Sequence, residues 1–125
     1  MQARRGIISG RVAWWLTAAL VLLIGFVTLT PIPQMQTMSH SDKLQHFVAF
    51  AVLALPLSLA YPRYFLGVFI AAVAYGGLIE VIQPHVGRSA EMLDVLADAA
   101  GALAGGIVGR YVGLWQGAGR ISRAR

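Results

Sequence analysis

Three pairs of polar residues in this chain lie three or four positions apart, within or beside long apolar stretches. Asp94 and Asp98 are spaced i, i+4; Glu80 and Gln83 are i, i+3; Asp42 and His46 are i, i+4. On a helix each spacing places both side chains on one face. Carboxylates beside a histidine can do acid–base work, ligate zinc or manganese, or hold a ligand through hydrogen bonds and charge. Lys43 and Arg88 lie close by in sequence and supply balancing charge. An aqueous loop accounts for Asp42, Glu91 and His85. It does not account for Glu80 and Asp98, which lie about one turn inside their apolar segments. A charge at the membrane centre costs ~2.5–3.5 kcal/mol on insertion scales, and less near the interface. Such groups face other helices or a wet cavity. Three readings follow: an ion-paired knot that fixes helix packing, an outward-facing site for an anionic head group or similar ligand, and a carboxylate–histidine metal site. The spacing matches no specific metal motif, so no metal and no cofactor is assigned.

The elements that must position these groups are membrane helices. The chain has 125 residues, 58% hydrophobic and 12% charged, against about a quarter charged in an average soluble domain. Four apolar segments approach the ~20 residues that cross ~30 Å of hydrocarbon. They are residues 12–29, 44–61, 65–82 and 92–115. Each is continuous rather than alternating, which favours helices over barrel strands. Pro31 and Pro33 end the first, Pro62 the second and Pro84 the third, because proline cannot continue the backbone ladder. Pro56 lies inside the second, where a kink is expected. The predicted fold is an all-α integral membrane protein, a bundle of four transmembrane helices forming one domain over residues 1–125.

The charges predict its orientation. Arg4, Arg5, Arg11, Arg63, Arg110, Arg120, Arg123 and Arg125 fall on one side of the four segments, and only Lys43 and Arg88 on the other. That asymmetry places both termini in the cytoplasm and two short loops outside. All five acids, Asp42, Glu80, Glu91, Asp94 and Asp98, then lie at or near the outer ends of helices, with His40, His46 and His85. The basic residues flank membrane segments rather than forming a nucleic-acid patch, so no nucleic-acid partner is expected. The absence of cysteine excludes disulfides and thiolate metal sites. No A-x-A site follows the first segment, which therefore reads as a retained helix rather than a signal peptide.

The fourth segment carries Gly101, Gly105, Gly109, Gly113 and Gly117, one glycine at every fourth position. Small residues at that spacing let helix backbones approach closely. The partner is another helix of the same chain, or alternatively a homodimer seam; the spacing alone supports either.

At these positions the chain resembles the VanZ-like family, named for an accessory protein of teicoplanin resistance. Asp42-Lys43-Leu44-Gln45-His46-Phe47 resembles its D-K-x-x-H-F, and Glu80-Val81-Ile82-Gln83 its E-x-x-Q. Gly87-Arg88-Ser89, with Asp94 six residues after the arginine, resembles its G-R-S segment leading to an aspartate. Gly101 and Gly105 fit the glycines that follow. The ordered set spans Asp42 to Gly105; Asp98 stands where the family often has asparagine. The resemblance implies a multi-pass protein of the bacterial cytoplasmic membrane, and some members are linked to reduced glycopeptide susceptibility.

The expected site is therefore Asp42, Lys43, His46, Glu80, Gln83, Arg88, Asp94 and Asp98, and the expected packing residues are Gly101, Gly105 and Gly109. The expected function is an envelope protein whose outer cluster binds or organises a lipid or cell-wall precursor. The alternatives are a small membrane enzyme acting on a lipid head group, with Glu80, Asp94 or His46 in acid–base work, and a subunit packing against another membrane protein. No G-x-S-x-G, H-E-x-x-H or Walker sequence is present, so the enzyme reading ranks last. The charge asymmetry makes a direct prediction. A reporter active only in the periplasm, fused after Arg125, stays silent; activity there would overturn the orientation or the helix count.

Overall fold

The computed structural model describes residues 7–31 and 39–123, with the side chains of residues 39–42 outside that description. Among the described residues the secondary structure is helical throughout. Helix α1 runs Gly10–Leu29, α2 Ser39–Ala60, α3 Phe65–Ile82 and α4 Met92–Arg123. Short 3-10 turns at Pro62–Tyr64 and Gln83–Val86 precede and follow α3. Each of the four helices is long and apolar enough to cross a membrane. Large apolar side chains such as Trp15, Leu22, Phe26 and Val81 are exposed along them. Lipid can cover those faces, so the polypeptide has no need to fold over them.

Three helices exceed their sequence-based limits. Helix α2 was expected from Leu44 but starts at Ser39, and α4 was expected to stop at Trp115 but continues to Arg123. Hydropathy marks where side chains turn apolar, whereas helix ends depend on backbone hydrogen bonds. No proline stands before Leu44 within α2 or after Trp115 in α4 to interrupt them. Arg120 and Arg123 occupy the last turn of α4, where cations complement the helix dipole. Helix α1 likewise gains Gly10 and Arg11, because the Ser9 side chain accepts from the Val12 N–H and caps its start. Pro56 lies inside α2 without ending it.

Helices α2 and α4 form the central pair. A Cβ on Gly101 would collide with the carbonyl oxygen of Phe47, and one on Gly105 with that of Ala51. A Cβ on Gly109 would stand 2.8 Å from the oxygen of Leu55, and one on Gly113 2.5 Å from that of Leu59. Both series advance by four residues in the same direction, so the helices run parallel with a constant register. The hydrogen that replaces each Cβ points at a carbonyl, the arrangement of weak Cα–H···O contacts. The ridge thus faces α2 of its own chain. Gly117 has nothing within 4 Å and lies beyond the seam.

Helix α3 runs antiparallel to this pair and brings its C-terminal end beside the start of α4. A Cβ on Gly76 would stand 2.7 Å from Oδ2 of Asp98. Helix α1 is held from the side. The Tyr75 hydroxyl donates to the Val21 carbonyl, and the Gln83 amide nitrogen donates to the Thr28 carbonyl at 3.3 Å. At the other end of the bundle the Tyr61 ring occupies the space a Gly10 side chain would need. The Ile7 N–H donates there to Gln116 Oε1 at 2.9 Å.

The seam predicts a position-specific response. Gly105→Leu forces α4 away from α2 and lowers thermal stability in detergent by at least the ~1–3 kcal/mol typical of overpacking. Gly117→Leu leaves stability unchanged. Equal stability of the two variants, measured by thermal unfolding, would refute the seam.

Candidate functional site

The parallel register of α2 and α4 decides which polar groups meet. One to two turns before Gly101, α4 presents Asp98 and Asp94 to the start of α2. His46 Nδ1 lies 2.8 Å from Asp98 Oδ1, and its Nε2 lies 3.8 Å from Asp94 Oδ2. An ionised Asp98 can only accept, which places the proton on Nδ1. One turn of helix separates the two aspartates, and the imidazole spans that gap with its two nitrogens. One ring thereby ties α2 to two successive turns of α4.

Lys43 lies one turn before His46 and extends the contact. Its Nζ is 2.8 Å from Glu91 Oε2 and 3.6 Å from Asp94 Oδ1. Glu91, immediately before α4, returns a second link through its backbone: its N–H donates to Glu80 Oε2 at 2.8 Å. Glu80 thereby joins α3 to the start of α4, within electrostatic range of His46, Asp94 and Asp98. The chain of contacts runs Glu80, Glu91, Lys43, Asp94, His46, Asp98, across three helices at one end of the bundle.

Burial separates the centre of this cluster from its rim. His46 is 5% exposed, Glu80 7%, Gln83 1%, Asp94 3% and Asp98 0%. Glu91 is exposed and Lys43 half-buried. Two acceptors in the buried part, Glu80 Oε1 and Gln83 Oε1, have no hydrogen-bond partner among the described residues. Each such group costs free energy unless water, a proton or a ligand satisfies it.

The sequence-predicted residues divide accordingly. Lys43, His46, Glu80, Asp94 and Asp98 come together. Gln83 is buried but turns its amide nitrogen toward α1. Arg88 does not enter: its side chain is half-buried and makes no hydrogen bond or ion pair among the described residues. Its backbone contributes instead, the N–H donating to the Gln83 carbonyl at 2.9 Å. Gly87, at φ 78°, supplies the left-handed residue that closes this turn. The Asp42 side chain lies outside the described residues, although its backbone is in α2.

Two further residues take part. Glu91, which an aqueous loop alone would account for, is the closest partner of Lys43 and also binds Glu80. Gly76 belongs to none of the polar pairs, yet it makes room for Asp98. Its signal is its position four residues before Glu80, on the same face of α3. Among the described residues, no three His, Asp or Glu side chains are arranged to hold a metal ion.

The same geometry orders the effect of substitutions. His46→Ala removes the partner of a fully buried carboxylate and costs about 3–5 kcal/mol, the usual penalty for breaking a buried pair. Asp98→Asn keeps an acceptor for Nδ1–H and costs less. Thermal unfolding in detergent tests this order; a more stable His46→Ala variant would show that the pair does not hold α2 to α4.

The VanZ/LLP1 family matches residues 7–113 of the chain. No curated protein and no solved structure matches it.

Proposed function

Because the chain belongs to the VanZ/LLP1 family, we propose that it is a bacterial cytoplasmic-membrane protein of the cell envelope, with its polar cluster on the outer side. There it binds or organises a lipid or cell-wall-related ligand, and through that ligand it alters glycopeptide susceptibility, teicoplanin above all. One observation carries this reading: a buried polar centre at the end of a membrane bundle retains hydrogen-bond acceptors at Glu80 and Gln83 without partners among the described residues. A knot evolved only for packing gains stability by satisfying every buried polar group or by replacing them with apolar ones. A binding site instead keeps acceptors for its ligand. The half-buried Lys43 and exposed Glu91 stand at the outer edge of this centre, on the side a ligand would approach. The orientation follows from the basic residues concentrated at the opposite end.

The competing reading is structural, and the His46–Asp98 contact favours it, since Asp98 is fully buried between helices. Glu80→Gln separates the two, because glutamine keeps shape and loses charge. Arg88→Lys provides a second comparison, since lysine keeps the charge and loses the planar fork. Each variant is scored for folded yield and for teicoplanin susceptibility in a host expressing it. The site reading expects Glu80→Gln to abolish the effect on susceptibility while folded yield holds. Parallel loss of both, or an unchanged phenotype, would favour the knot.

A further inference from the structure

We infer that the ligand of the polar cluster presents a primary ammonium group, as on an aminophospholipid head group, rather than an anion. This rests on the binding role proposed above and names its chemistry.

The argument starts from charge. Glu80, Glu91, Asp94 and Asp98 gather at this end of the bundle, and the Glu80 carboxylate makes no ion pair among the described residues. The Lys43 ammonium is already committed, at 2.8 Å from Glu91 and 3.6 Å from Asp94. The Arg88 guanidinium contacts none of the acids among the described residues. An anionic head group entering here would meet the Glu80 carboxylate, whose repulsion is strong where water is scarce. A cation would be drawn in.

Hydrogen bonding narrows the choice of cation. Two buried atoms at this end without hydrogen-bond partners among the described residues, Glu80 Oε1 and Gln83 Oε1, are both acceptors. One N–H of the Gln83 amide is taken by the Thr28 carbonyl, and the Glu91 N–H by Glu80 Oε2. To satisfy the two open acceptors the ligand brings donors. A primary ammonium brings three N–H groups and a positive charge together. A quaternary ammonium brings charge without donors, and a sugar hydroxyl brings a donor without charge. Glu80 is the central contact, because it is buried, has one oxygen held by Glu91 N–H, and keeps the other available.

The test uses the full chain purified in detergent, with thermal unfolding as readout. Phosphatidylethanolamine, phosphatidylcholine and phosphatidylglycerol are titrated separately, with soluble ethanolamine as a fourth arm. Phosphatidylethanolamine is expected to raise the unfolding temperature in a saturable manner, whereas phosphatidylcholine and phosphatidylglycerol do not. Stabilisation by soluble ethanolamine as well would locate recognition in the amine alone; its absence would require the lipid. Glu80→Gln is expected to weaken the phosphatidylethanolamine response at least about tenfold in apparent affinity, the loss of one charge-assisted hydrogen bond. A phosphatidylglycerol or phosphatidylcholine response equal to or larger than that of phosphatidylethanolamine would overturn the ammonium inference while leaving a ligand site. Unchanged affinity in Glu80→Gln would also overturn it, since it would mean that the buried oxygen merely carries a proton or water. No response to any of the four would overturn both the inference and the binding role. If Glu80→Gln does not fold, the head-group ranking on the unaltered chain decides the outcome.

Discussion

The contact between the backbones of α2 and α4 governs the rest of the bundle. Lipid tails solvate leucine as well as another helix does, so apolar side chains alone do little to drive association within a membrane. Close backbone approach supplies what hydrophobicity cannot: dense dispersion contacts and carbonyls facing glycine Cα–H groups. Gly101, Gly105, Gly109 and Gly113 meet the carbonyls of Phe47, Ala51, Leu55 and Leu59 in one unbroken register. A slip of one residue on either helix would set side chains against this seam. The register is therefore strongly specified, and with it the position of every polar group on the two helices.

That register places charges where they can be tolerated. The seam begins immediately after the aspartates of α4 and the histidine of α2, so His46 is delivered to Asp98 and Asp94 by packing further along the bundle. The association of α2 and α4 offsets much of the desolvation cost of bringing these groups together. Helix α3 completes the arrangement through one face: Gly76 admits the Asp98 carboxylate, and Glu80, one turn later, takes the Glu91 N–H. The left-handed Gly87 reverses the chain tightly enough to bring Glu91 back over the end of α3.

The opposite end of the molecule has a different character. Arg11 and Arg63 are exposed there, and Arg110 donates to the Pro62 carbonyl at 3.2 Å. Trp14, Trp15, Tyr64, Tyr111 and Trp115 are exposed near the same end. Aromatic rings and arginines suit a membrane–water interface. With 32 residues, α4 is about 48 Å long at 1.5 Å per residue, well beyond the hydrocarbon thickness. Its C-terminal turns therefore extend past the membrane core or require tilt.

The sequence by itself determined the number of helices, their approximate spans and the polar pairs they carry. These depend on local properties: apolar run length, proline positions and helical spacing. The boundaries of α3 were legible to the residue because Pro62 and Pro84 bracket it. Those of α2 and α4 were not, because their terminal residues are polar and still helical. The glycine ridge was visible, but its partner was not, since glycine at every fourth position suits any close helix. Only the tertiary structure decided that the partner is α2 and that the two run parallel. It drew Glu91 into the cluster and, among the described residues, kept the Arg88 side chain out of contact with its acids. Each of these depends on the relative translation and rotation of helices, which side-chain packing sets and which no spacing within one helix encodes.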